Sequence, residues 1–173
     1  MGDRKLELLK KLEKSFADDP DIEEVSVFTK EELNAPMDVL RMLVTDYGPG
    51  LIDVLAEFSF IPFEGEAEVW YFSSVVTIAN NIPQHAVSSV AGAVSRLNFL
   101  LPYGSFGINP AGDTLVFKNV TLIKTADPDK NILDNMELAV DRALFIPESH
   151  TDLLIGIAEG RVLLSDFIDS LPV

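Results

Sequence analysis

Val94-Ser95-Arg96-Leu97-Asn98-Phe99-Leu100-Leu101, running straight into Pro102-Tyr103-Gly104-Ser105-Phe106-Gly107, is where the chain changes its hydrophobic period. Upstream, Val87, Val90, Ala91, Val94, Leu97 and Leu101 recur at three- and four-residue spacing, the stripe of an amphipathic helix. Downstream, Leu115, Phe117 and Ile123 lie opposite Val116, Val120 and Leu122, the two-residue period of a strand. Pro102 stops the helix because it has no N–H to donate and its ring restricts the residue before it. Short strands over 105–108 and 114–124, linked by Asn109-Pro110-Ala111-Gly112-Asp113, read as a hairpin. The segment 83–125 therefore predicts a helix that hands over to a hairpin. It holds no constellation of catalytic or metal-ligating side chains.

On the N-terminal side, Asn80-Asn81-Ile82-Pro83 punctuates the chain, with Asn81 or Ile82 near an N-cap and Pro83 in the first helical turn. Residues 37–46 and 51–61 read as strands joined by Tyr47-Gly48-Pro49-Gly50, whose glycines and proline supply turn geometry. In the second of them Ile52, Val54, Ala56, Phe58 and Phe60 share the core face, while Leu51, Asp53, Leu55, Glu57 and Ser59 share the other. After Pro62-Phe63-Glu64-Gly65 a third strand, 67–78, is apolar on both faces. Asp3 caps a first helix carrying Leu6, Leu8, Leu9, Leu12 and Phe16. Residues 21–36 mix signals, a short strand at Val25-Ser26-Val27-Phe28 and a capping box at Thr29-Lys30-Glu31-Glu32, and are assigned as a connector.

On the C-terminal side, Asp127-Pro128-Asp129 opens a helix over 129–144, with Asp127 as cap, Pro128 at its first position and Ile132, Met136, Ala139, Val140 and Ala143 inward. Pro147 interrupts it, and Ser149-His150-Thr151-Asp152 reads as a second start. The fold class predicted is α+β, an antiparallel sheet made of a three-stranded meander plus a two-stranded hairpin, with helices packed on one face. It forms a single domain over 1–173, divided into an N-terminal helix and connector, 1–35, and a sheet-and-helix core, 36–170.

The length of 173 residues and the hydrophobic fraction of 47% suit one domain with a real core and little disorder. With 28 acidic against 13 basic residues the formal charge is −15, which repels phosphate backbones and anionic lipids, so no nucleic acid and no membrane is expected as partner. Cysteine is absent, excluding disulfides, thiolate nucleophiles and Cys-ligated zinc. The first residues lack the apolar run of a signal peptide, and no uncharged apolar stretch reaches about 18 residues, so a cytoplasmic location is the default.

Each motif-like group has a plain structural account. His85 and His150 sit in the first turns of predicted helices. Ser149, His150 and Asp152 have the residue types of a hydrolytic triad, but sequence neighbours rarely converge and no G-x-S-x-G elbow exists. Asp127, Asp129 and Asn131 mimic an EF-hand opening, yet Ile132 and Leu138 stand where glycine and glutamate are needed. Gly104-Ser105-Phe106-Gly107 has the spacing of a nucleic-acid clamp but leads into a strand on an acidic chain. The Glu66 and Glu68 pair, and the Asp18 and Asp19 pair, read as solvated surface. No metal and no cofactor is expected.

The motifs from Val94 to Asn98 and Leu101 to Gly107, with Gly112-Asp113-Thr114-Leu115-Val116-Phe117, Ile157-Ala158-Glu159-Gly160 and Asp166-Phe167-Ile168, resemble the YbjN-domain family, whose fold is similar to that of type III secretion chaperones. The resemblance covers roughly the half from Pro83 onward. It implies a bacterial cytosolic interaction or regulatory protein and carries over no catalytic residue. The expected function is accordingly a non-enzymatic binding module, holding a protein partner or a second copy through the less covered sheet face at Leu43, Leu55 and Tyr71. A rival account packs these three beneath the first helix or the connector. The alternative function is a small hydrolase whose carboxylates meet in the fold, with Asp46, Asp53, Glu57 and His85 as the residues to watch.

Overall fold

Helix α1 (Arg4–Phe16) turns Leu8, Leu9 and Leu12 onto the underside of a sheet, as its apolar stripe requires. The computed structural model describes residues 4–63, 68–109 and 111–171. Asp3 as helix cap, Glu64 and Gly65 in the turn, Glu66 of the carboxylate pair, Ala67 at the start of the third strand and Pro110 of the hairpin loop lie outside the described residues. After α1 come β1 (Ile22–Phe28), α2 (Lys30–Leu33), β2 (Val39–Tyr47), β3 (Ile52–Ile61) and β4 (Val69–Ala79). Then follow α3 (Val87–Leu100), β5 (Ser105–Ile108), β6 (Leu115–Lys124), α4 (Asp129–Ala158) and α5 (Leu164–Ser170).

The architecture is α+β, with a six-stranded, wholly antiparallel sheet in the order β1-β2-β3-β4-β6-β5. The meander and the hairpin are both present, but β6 pairs with β4 and fuses them into one sheet. Leu40, Met42, Val54, Ala56, Phe58, Phe72, Val76, Leu115 and Phe117 all lie on one face and are buried. Helices α1, α3 and α4 cover that face, α1 under β1 and β2, α4 under β4 and β6, and α3 beside β5. The one-sided alternation of β3 thus placed the core correctly.

Three assignments need correction. The connector 21–36 contains a full strand, β1, pairing with β2 from Ile22 to Phe28, followed by α2. Its weak alternation reflects an edge position, with Glu23 and Glu24 exposed and the other five residues half-buried. The capping box is real: Glu32 N donates to Thr29 Oγ1 at 3.3 Å and Thr29 N to Glu32 Oε2 at 2.8 Å. The helix expected from Pro83 begins instead at Val87, since residues 83–86 form a turn closed by Ala86 N donating to the Pro83 carbonyl at 2.8 Å. His85 therefore precedes the helix.

Pro147 does not interrupt α4, which runs 30 residues to Ala158, so Ser149-His150-Thr151-Asp152 is helix interior and not a second start. Its start also differs by one position, with Pro128 at the cap and Asp129 first in the helix. A proline inside a helix removes the N–H that would serve the carbonyl four residues back and crowds that turn. Here tertiary contacts hold the same stretch of helix from outside. Pro147 is buried, and the Tyr47 hydroxyl donates to the Leu144 carbonyl. Burial and the nearby Glu148 carboxylate push the Tyr47 phenol pKa upward, keeping it a donor. The β2–β3 turn meets the helix just beyond, where a Cβ on Gly48 would stand 2.6 Å from Thr151 Oγ1. Only glycine permits that approach.

Ser74 sits in the middle of the covered face, fully buried, and its hydroxyl has no hydrogen-bond partner. An orphaned buried hydroxyl costs about 1–3 kcal/mol of desolvation. Ser74→Ala is therefore expected to raise the urea midpoint, by about 1 kcal/mol once the small lost volume is set against it. A lower midpoint would show that the hydroxyl is in fact bonded.

Candidate functional site

The opposite face of the sheet is not covered by α1, α3 or α4; among the described residues the short α2 reaches it, with Leu33 beside Val39, Arg41, Glu57, Ser59 and Val75. Because side chains alternate along a strand, the residues that flank the core positions must point this way. Leu43 pairs with Leu55, and Leu55 with Thr77, at one end; Tyr71 pairs with Ile61 and Leu122 at the other. Leu43 and Tyr71 are half-buried, while Leu55 is 38% exposed, Val120 39% and Leu122 62%. Phe63, 67% exposed, lays its ring 5.7 Å from that of Tyr71. Between the two apolar ends Arg41 Nε donates to Glu57 Oε1 at 2.8 Å, with the guanidinium over the Phe28 ring.

All three residues chosen from sequence share this face, opposite α1, so they do not pack beneath the first helix. Residues of the connector do border two of them: Glu24, Ser26 and Phe28 of β1 line a shallow pocket with Leu43 and Leu55, while Leu33 and Ala35 to Met37 lie beside Val39, Arg41, Glu57, Ser59 and Val75. Val120, Leu122 and Phe63 belong to the same surface and were not singled out. The alternation of β6 already set Val120 and Leu122 opposite Leu115 and Phe117. Which face had helices over it was the missing fact.

On each edge strand of the sheet a side chain bonds one backbone residue. At β1, the Val27 N–H donates to Glu13 Oε1 of α1 at 2.9 Å. At β5, the Asn98 carboxamide from α3 accepts from the Phe106 N–H at 2.8 Å and donates to the Phe106 carbonyl at 2.9 Å, standing in for a seventh strand at that residue. Such devices block strand addition at an edge.

The residues named for hydrolysis do not come together. Each of the five principal pockets is lined by at most one of Asp46, Asp53, Glu57 and His85. Glu57 is held by Arg41. Ser149, His150 and Asp152 follow one another along α4, with Asp152 3.9 Å from Arg161. His150 lies with its ring 6.3 Å from that of Phe106, and burial holds its pKa below the ordinary value. Asp129 is no calcium ligand in formation: hydrogen bonds from Lys11 and Arg4 hold its carboxyl below the usual carboxylate range. Among the described residues no group of three or more His, Asp or Glu is placed to hold a metal ion. No helix among them is long and apolar enough to cross a membrane.

No family model, no curated protein and no solved structure matches the chain.

Proposed function

We propose that the chain is a bacterial, cytoplasmic protein-binding module without catalytic activity, holding a protein partner or a second copy of itself through the uncovered face of its sheet. The observation that carries this reading is a six-stranded sheet with α1, α3 and α4 on one side and exposed Leu55, Val120, Leu122 and Phe63 on the other. Arg41, Glu57 and Lys118 form a charged row across the sheet between the two apolar ends of this face, and exposed apolar clusters beside charged groups are a common feature of interfaces. The motif likeness to the YbjN domain and its chaperone-like fold points the same way.

Leu55→Glu combined with Tyr71→Glu is expected to leave the circular dichroism spectrum intact, because both side chains stand outside the helix-covered core. It is expected to abolish self-association in light scattering, or capture of the partner retained by the wild type, by placing charge in the interface centre. Retention of both the wild-type mass and every partner would remove this face as the binding site.

A further inference from the structure

The helix-covered side of the molecule carries a groove along α4, and it has two halves with Phe145 and Glu148 as their common wall. One half is apolar, formed by Pro49, Leu101, Pro102 and Ile146 with the Phe145 ring. The other lies between the end of α1, the start of β1, the end of β2 and α4, floored by Val44 and Tyr47. Five carboxylates line it, Asp19, Asp21, Asp46, Asp141 and Glu148. Phe145 stands between the halves 76% exposed.

Acidic side chains on a surface usually mean only that water solvates them. Here they line a concavity beside exposed apolar surface. The wall is held in shape, since Thr45 N donates to the Asp21 carbonyl at 3.2 Å and Asp21 N to Asp19 Oδ1 at 3.0 Å. Asp46 is delivered by a register irregularity in β2 with its backbone at φ +51°, a conformation non-glycine residues rarely adopt. Among the described residues no ion pair reaches any of the five carboxylates; Arg4, Lys11, Arg41 and Arg161 are engaged elsewhere. Burial, and after it the charges of Glu137 and Asp19, keep the Asp141 carboxyl pKa above its ordinary value.

We infer that this groove is a docking site for a segment of another protein in which basic side chains flank an apolar one. The apolar residue fits against Phe145, Ile146, Leu101 and Pro102, and the cations enter among the carboxylates, where they remove a repulsion that the free protein carries. Charge decides between occupants. A second copy of this chain, at −15, brings the wrong sign, and so does any phosphate-bearing partner. This surface is separate from the open sheet face and does not depend on it.

The test uses the full chain and a fluorescein-labelled peptide of alternating leucine and arginine, read by fluorescence anisotropy. Two control peptides replace arginine by glutamate or leucine by serine. The leucine–arginine peptide is expected to bind more tightly than either control. Phe145→Ser is expected to weaken it roughly tenfold, the scale of losing one exposed aromatic anchor. Asp141→Asn with Glu148→Gln is expected to weaken it by a similar factor at low salt, and by less at high salt, where rim charges are screened. Leu55→Glu, on the sheet face, is expected to bind as the wild type does. Asp141→Asn alone, at an exposed side chain, is expected to lower affinity with Tm no lower than that of the wild type, and measuring Tm beside affinity separates weaker binding from unfolding. The proposal fails if the peptide does not bind. It also fails if the serine–arginine control binds as well, if the groove variants bind as the wild type does, or if only Leu55→Glu loses binding.

Discussion

Replacing Gly104 with alanine is expected to cost about 2–5 kcal/mol, a large share of the stability of a domain this size. Two effects add. Gly104 has φ +69°, where a side chain costs about 1–2 kcal/mol in contact with its own backbone. An added Cβ would also stand 2.3 Å from Cζ of Phe117, a fully buried ring in edge-to-face contact with Phe106. Forcing a methyl into a packed core typically costs about 1–3 kcal/mol. Neither effect can relax the other, because the loop from Pro102 is fixed at both ends by α3 and β5. Gly107→Ala is the control: nothing lies within 4 Å of its Cβ position and its backbone needs no glycine, so a change below about 1 kcal/mol is expected. Urea unfolding of the two variants beside the wild type measures this. Equal midpoints for Gly104→Ala and wild type would mean the turn is not built as described.

Asn98→Ala is expected to be the other severe change, at about 2–4 kcal/mol, because it takes away two hydrogen bonds at once and leaves both backbone groups of Phe106 without a partner. It also opens the β5 edge. The variant is expected to aggregate with rising concentration where the wild type does not, since an unpaired strand edge is a template for pairing. Asn98→Asp separates the two bonds: the carboxylate still accepts from the Phe106 N–H but donates nothing to its carbonyl. An intermediate loss of stability is expected for it. Hydrogen exchange at the Phe106 amide gives the direct readout, fast in Asn98→Ala and slow in Asn98→Asp. Unchanged protection in Asn98→Ala would show that the carboxamide does not hold the edge.

Both residues fall in the stretch where the hydrophobic period changes, and both serve the fold. Asn98 holds the backbone of Phe106 and Gly104 lets the loop pass close to Phe117.

From the sequence alone, the helix ending at Leu100, the hairpin after it, the strands of the meander and the core face of β3 were legible. Each depends on a period set by backbone geometry over a few consecutive residues, so local spacing suffices to read it. The placement of Leu43, Leu55 and Tyr71 opposite the core followed from the same alternation. Three features depended on residues far apart. Strand β1 is a strand because β2 pairs with it and Glu13 of α1 occupies its outer edge. Helix α4 continues through Pro147 where the proline ring is buried and Tyr47, about a hundred residues earlier, bonds the Leu144 carbonyl beside the affected turn. The groove exists because α1, β2 and α4 bring Asp19, Asp46, Asp141 and Glu148 beside Phe145. Local periodicity states which side of an element is apolar; which partner meets that side, and which charged groups from distant segments then share a surface, is decided only when the whole chain closes on one core.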